Sequence, residues 1–310
     1  MIINTGMRTD IPAFYSEWLM NRIRDGYVLV RSPYNPQQVT KYILNPDVVD
    51  VLGFCTKNPA PMLPYLSELE GYGQLWYVTI TSYGKDIEPN VPESPKVINS
   101  FRKQSEKVGI KSVGWRYDPI LLNDKYTVQW HIESFEKMAQ ELAGYTESCV
   151  ISFIDLYRKV TRNFPQAREV AEADRILLGK AFADIGRRCG IKIIACGEGR
   201  ELEKYGINCD GCMTADKYEK AAGSRLIFPR STKSRKECSC YLGADIGAYD
   251  SCGHLCRYCY ANTDKEAVVR NRERHNPRSP FLIGGEIPGD IIKEARQESW
   301  KTLELDLFDC

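Results

Sequence analysis

The sequence predicts an α/β fold, a partial (β/α)6 barrel followed by a cysteine-rich C-terminal region. Three observations carry this. Short β-rich apolar runs alternate with helical stretches along the first two thirds of the 310 residues. Each run ends in polar residues suited to binding. Eight of the twelve cysteines fall between Cys196 and Cys259.

The first run is I-I-N-T at residues 2–5, followed by a helical pattern over 12–25. Further runs lie at 47–55, 75–83, 111–118, 148–155 and 191–196. Helices are expected over 95–108, 131–142 and 166–189, the last bounded by Pro165 and Gly190. Six strands joined by helices make a parallel sheet, and in such sheets the C-terminal strand ends build the site. Here those ends carry Arg8 and Asp10; Lys57 and Asn58; Tyr83; Arg116 and Asp118; Asp155; and Cys196 with Glu198. We expect a charged pocket in which Arg8, Asp10, Lys57, Arg116, Asp118 and Asp155 do chemistry. Asn58, Tyr83 and Glu198 are expected to bind a cofactor. The expected division is a barrel over 1–196 and a cysteine-rich region over 197–310 packed on its mouth.

Composition is ordinary for a globular protein, with 43% hydrophobic and 27% charged residues and a net charge of +1. That balance gives no global reason to expect nucleic acid. No apolar run approaches a membrane span, and the first residues lack a signal pattern. The expected location is therefore cytoplasmic, where thiols serve metals or catalysis rather than disulfides.

The stretch D-S-C-G-H-L-C-R-Y-C-Y-A-N, residues 250–262, spaces Cys252, Cys256 and Cys259 as C-x3-C-x2-C. Three thiolates hold three irons of a [4Fe–4S] cube and leave the fourth open. This arrangement is similar to that of radical S-adenosylmethionine enzymes, in which the open iron takes the cofactor's amino and carboxyl groups. Tyr258 and Tyr260 resemble residues found beside such clusters. Cys196, Cys212, Cys238 and Cys240 offer four more thiolates, enough for a second cluster or a tetrahedral zinc, with the cluster preferred as an electron relay. Cys209 competes through its C-x2-C spacing with Cys212. The alternative is that these are buried or loop thiols. His254 is read as tuning the cluster or as a ligand. His131 and His275 are read as surface residues. G-E-G-R-E at 197–201 and I-G-G-E-I-P at 283–288 contain carboxylates, of which Glu198 is the better placed for the pocket.

R-T-D-I-P-A-F-Y, G-Y-V-L-V-R-S-P-Y-N-P-Q-Q-V, T-K-N-P, T-I-T-S-Y-G-K-D-I-E-P-N-V-P, R-Y-D-P-I-L-L and the run from Cys238 to Asn262 together resemble the bacterial family called domain of unknown function 1848. Cys55 stands where the resemblance implies Trp. T-G-M-R-T-D replaces S-R-R-T-D, with Arg8 and Asp10 matching. The family is described as carrying a C-terminal cysteine cluster similar to the N-terminal motif of radical S-adenosylmethionine proteins. In those enzymes the cluster loop follows strand one; here it comes after strand six, from the opposite edge of an open barrel. The motif also resembles that of spore photoproduct lyase. With eleven Lys/Arg against six Asp/Glu over 225–278, this raises nucleic acid as a partner. The leading expectation is a radical S-adenosylmethionine-type enzyme acting on a small-molecule or nucleotide-type substrate, with electrons from a ferredoxin or flavodoxin. The alternatives are a cluster enzyme without that cofactor, a lyase or reductase, and a metal-binding nucleic-acid module.

Overall fold

The structure is a computed structural model that describes residues 1–229 and 240–302. Seven strands form one all-parallel sheet in the order β8-β7-β6-β5-β4-β1-β9. They are β1 (Ile2–Asn4), β4 (Val51–Thr56), β5 (Gly73–Thr79), β6 (Val113–Ile120), β7 (Ser148–Phe153), β8 (Lys192–Ala195) and β9 (Ala244–Asp245). The first six follow sequence order across the sheet, as in a partial barrel, and among the described residues the sheet does not close. The strands expected near 47–55, 75–83 and 111–118 are all present with shifted ends. β9 was not expected.

Alternation along the strands sorts side chains onto two faces. The outer face carries Ile3, Leu52, Phe54, Trp76, Trp115, Ile151 and Ile193, all in one core cluster. Four helices cover it: α2 (Ser16–Asp25), α3 (Ser94–Val108), α4 (Val128–Leu142) and α6 (Glu172–Cys189). Rings stack across this layer, with Phe54 3.6 Å from Trp76 and Phe135 4.0 Å from Phe182. The inner face is apolar at its base, with Ile2, Val51, Leu75, Val150 and Ile194. At its upper end it carries Cys55, Tyr77, Arg116, Asp118, Ser152 and Cys196. This face is covered by α7 (Ala215–Ala222), whose Tyr218 is fully buried among Tyr77, Cys212 and Cys240. Gly114 makes room on the inner face: a Cβ there would lie 2.5 Å from the Tyr77 ring.

The helix read over 12–25 is two helices. Asp10 caps the short α1 (Ile11–Phe14) by accepting from the Ala13 N–H at 3.0 Å, and Tyr15 leaves helical geometry before α2 begins. The helix read from 166 begins at Glu172, where Glu172 and Asp174 complement the helix N-terminus. The preceding α5 (Arg158–Asn163) is separate. Gly190, at φ 70°, ends α6 as expected. The hairpin of β2 (Tyr27–Arg31) and β3 (Gln38–Ile43) was not expected. β10 (Ile291–Glu294) adds to it in parallel, making a second sheet of three strands. α8 (Lys265–Glu273) lies between the cysteine loop and β10 in the chain. Among the described residues no helix is long and apolar enough to cross a membrane.

His131 corrects the surface reading: it is fully buried in α4. Its Nε2 lies 2.8 Å from the Leu121 carbonyl and its Nδ1 2.8 Å from the Tyr117 hydroxyl. A neutral ring donating from Nε2 and accepting at Nδ1 satisfies both contacts. Burial pulls its pKa down from 6.5 to about 4. The unfolded chain therefore binds a proton between those values that the folded chain does not. Stability is full above pH 6.5 and falls as pH drops toward 4, by about 3 kcal/mol in total. Urea unfolding at pH 7.5 and pH 5 should show the fold weakened at pH 5. His131→Gln should remove this share of the slope; an unchanged slope in that variant would rule His131 out as its source.

Candidate metal centres at the C-terminal ends of the strands

β9 lies beside β1 with Ile3 opposite Ala244 and Asn4 opposite Asp245. The pairing is clamped from the β1 side. Arg8 Nε donates to Asp245 Oδ1 at 2.7 Å, and the Met7 N–H donates to Asp245 Oδ2 at 3.0 Å. Arg8 thus staples the seventh strand rather than lining an open pocket. Directly after β9 the chain enters the loop with Cys252, Cys256 and Cys259. The loop closes on itself: Asp250 accepts from Thr263, and Asn262 Nδ2 donates to the Cys252 carbonyl at 2.9 Å. Inside it, the Cys259 N–H donates to the Cys256 carbonyl at 3.1 Å. Leu255, just before Cys256, sits at φ 56°, in the left-handed region that a branched side chain disfavours.

Two neighbours grip the loop. Asp10 Oδ2 accepts from the Lys57 N–H at 2.7 Å and lies 2.9 Å from His254 Nε2. The other His254 nitrogen faces the Asn90 carbonyl at 3.4 Å. Asn90 itself donates to the His254 and Gly253 carbonyls at 3.2 and 2.8 Å. Tyr15 donates to the Ser251 carbonyl at 2.7 Å. The second grip centres on Glu88, which is 2% exposed. Its Oε1 accepts from Lys57 Nζ at 2.9 Å, from Thr81 Oγ1 at 2.8 Å and from the Tyr258 hydroxyl. Burial alone would lower the Lys57 ammonium, but the Glu88 carboxylate more than offsets it and holds its pKa above the ordinary value. Burial pushes all three thiols up, Cys256 well above its ordinary value with only Lys57 opposing. Thiolates here require a compensating cation, which a metal supplies.

A second cysteine group lies at the upper end of the inner face. Cys196 follows β8, Cys212 precedes α7, and Cys240 precedes β9. Cys212 Sγ is 3.5 Å from Cys196 Sγ and 3.9 Å from Cys240 Sγ. Among the described residues these three form the group whose ligand atoms all lie within 4.8 Å of one another, and they can hold a metal. The Met213 N–H donates to Cys240 Sγ at 3.2 Å and Arg116 Nη1 to Cys212 Sγ at 3.5 Å. Arg116 is fixed by Asp118 Oδ2 at 2.8 Å, and Ser152 donates to Asp118 Oδ1. Arg116 and Asp118 therefore belong beside this group. Cys209, the expected competitor, points into the outer core and bonds the Ile207 carbonyl at 3.8 Å. Cys238 lies outside the described residues.

The other expected site residues take up separate contacts. The Tyr83 hydroxyl donates to the Pro119 carbonyl and accepts from the Leu121 N–H, each at 3.0 Å. Asn58 Oδ1 accepts from the Ala60 N–H at 3.3 Å. Asp155 is exposed and accepts from Tyr157 at 3.0 Å. Glu198 accepts from the Phe153 N–H at 2.8 Å and pairs with Arg175 at 3.6 Å; burial pushes its pKa up to about 7. The half-exposed Tyr260 donates to the Met7 carbonyl. His275, half-buried rather than on the surface, bonds the Leu282 carbonyl at 2.7 Å. The I-G-G-E-I-P stretch is held by the second sheet, with Arg31 donating to the Gly285 carbonyl at 2.9 Å. Glu88 and Asp245 escaped the sequence reading. Each sits inside a quoted motif, but neither lies at the end of an expected strand.

The fold and these groups define a parallel α/β protein of the partial-barrel kind with a cysteine triad able to bind metal. The chain belongs to the family described as domain of unknown function DUF1848, whose model matches residues 2–261. The match ends two residues past Cys259. No curated protein matches the chain.

Proposed function

We propose that this protein is an iron–sulfur enzyme of the radical S-adenosylmethionine type, with a [4Fe–4S] cluster on Cys252, Cys256 and Cys259. The observation that carries the reading is the seventh strand. β9 lies parallel beside β1 and runs straight into the cysteine loop, so the thiols arrive at the ends of the strands from which a barrel site is built. The donor set fits a cluster. The three thiols are not among the groups converging within 4.8 Å, as a single ion would require, and a cube carries each thiolate on a different iron. His254, the imidazole inside the motif, has both nitrogens engaged. Three protein ligands then leave one iron for a small molecule.

When bound, the cluster and S-adenosylmethionine together supply reductive cleavage of a sulfonium and a radical that abstracts hydrogen. The chain's own work is positioning. Asp10 and Asn90 hold the loop backbone through His254. Glu88 orients Tyr258 and Lys57, and Lys57 keeps a positive charge beside Cys256. Electrons come from a ferredoxin or flavodoxin, and the substrate is a small molecule or nucleotide at the strand ends.

A second reading, a cluster enzyme that does not use S-adenosylmethionine, is favoured by one observation. The segment after Thr56, the last residue of β4, reads K-N-P, and the Gly-Gly-Glu stretch packs against the three-stranded sheet. Low-temperature EPR of anaerobic, dithionite-reduced protein separates the two. A cluster signal that changes shape on adding S-adenosylmethionine supports the first reading. An indifferent signal supports the second, and no cluster signal sinks both.

A further inference from the structure

We propose that Cys196, Cys212 and Cys240 hold a single zinc ion that ties the inner-face helix and the seventh strand to the barrel. This does not rest on the cluster reading and concerns different thiols. A zinc–thiolate bond of about 2.3 Å in a tetrahedron sets neighbouring sulfurs about 3.8 Å apart. Cys212 lies 3.5 and 3.9 Å from its two partners, and all three sulfurs fall within 4.8 Å. A cube, with each thiolate on its own iron, needs them farther apart. The geometry therefore favours one ion over the second cluster expected from the sequence.

The surroundings point the same way. Two N–H groups are aimed at sulfur: Met213 at Cys240 and the Arg116 guanidinium at Cys212. Donors to sulfur and a fixed positive charge stabilise thiolates at a metal. Arg116 is held for this by Asp118, which is itself held by Ser152.

The three cysteines also divide the chain in a telling way. Cys196 is where the chain leaves β8. Cys212 is where it enters α7. Cys240 comes shortly before β9. One ion there joins the start, middle and end of the excursion that covers the inner face. α7 packs closely, since a Cβ at Gly73 would lie 2.7 Å from the Ala221 carbonyl. Tyr77 bonds the Cys212 carbonyl and Tyr218 the Tyr241 carbonyl, so the backbone at Cys212 and beside Cys240 is anchored as well. The ion sits upstream of the cysteine loop, and holding β9 in place holds the loop's entry. Binding free energy at such a site is folding free energy.

The test uses the full chain carrying Cys252→Ala, Cys256→Ala and Cys259→Ala, which removes the first motif from the measurement. Metal analysis is expected to find one zinc per chain. Cobalt(II) exchanged into that protein is expected to show thiolate-to-metal charge-transfer absorption and the visible bands of a tetrahedral site. Adding Cys212→Ser should abolish both. Should that variant fail to fold, the cobalt spectrum of the parent still decides: no thiolate charge transfer overturns the proposal. Iron with sulfide instead of zinc overturns it in favour of a second cluster. A disulfide among the three cysteines, found by thiol counting, overturns it as well. None of these outcomes depends on the EPR result for the intact protein, so the two readings fail separately.

Discussion

Cys256→Ala/Cys259→Ala, purified without oxygen, is expected to lose the iron and sulfide of one cluster, about four irons per chain, while keeping its far-UV circular dichroism. Any S-adenosylmethionine cleavage by the intact protein should fall to background. The fold survives because protein contacts already close and hold the loop. Asp250 ties its end through Thr263, Asn90 and Tyr15 hold its backbone, and Asp10 holds His254. The thiols contribute little to that framework. Their burial disfavours the thiolate, so without a metal they remain neutral. Replacing two of them with alanine removes ligands and a little volume but no charge. Unchanged iron content would show that the cluster is held elsewhere. A collapsed circular dichroism signal would show that the loop depends on its metal for shape.

The second large effect is expected at Glu88. Glu88→Ala should destabilise the fold by about 3–5 kcal/mol, the usual cost of breaking a buried ion pair by removing one partner. Glu88 is 2% exposed and its Oε1 serves three donors. Its removal leaves the Lys57 ammonium without its main partner and the Thr81 and Tyr258 hydroxyls without an acceptor. Burial then dominates at Lys57 and favours the neutral amine. Tyr258 also loses its anchor next to Cys259, so cluster occupancy should drop with stability. Glu88→Gln keeps an acceptor oxygen and should cost less. Urea unfolding of both variants alongside the parent measures the order. A loss under about 1 kcal/mol for Glu88→Ala would mean that water replaces the carboxylate and the pair is not sealed.

Much of the fold was legible because its signals are local. β5, β6, β7 and β8 are short apolar runs with polar ends, and their parallel order follows from the helices between them. β9 has two residues and β10 is exposed along its length. Neither carries an apolar period, so nothing in the chain marks them before their partners are in place. The candidate site divides the same way. C-x3-C-x2-C is readable because spacing alone limits what three thiols can share. Cys196, Cys212 and Cys240 span 45 positions, and only their folding onto the inner face decides that Cys212, not Cys209, joins the group.

By itself, the sequence determined the parallel α/β architecture, the family and the presence of a thiol-rich tail. Those follow from periodicity and from residue types at fixed short spacings. Tertiary structure alone decided what the charged strand ends do. Arg8 meets Asp245 across 237 positions, and Asp10 meets His254 across 244. Lys57 finds Glu88, and Glu198 finds Arg175. The physical reason is that a buried charge must be paired, and its partner is whichever group the fold brings within reach. Six strand ends that look like one open charged pocket in the sequence become several closed pairs. Three of them, Arg8–Asp245, Asp10–His254 and Lys57–Glu88, hold the cysteine loop and the strand that leads into it.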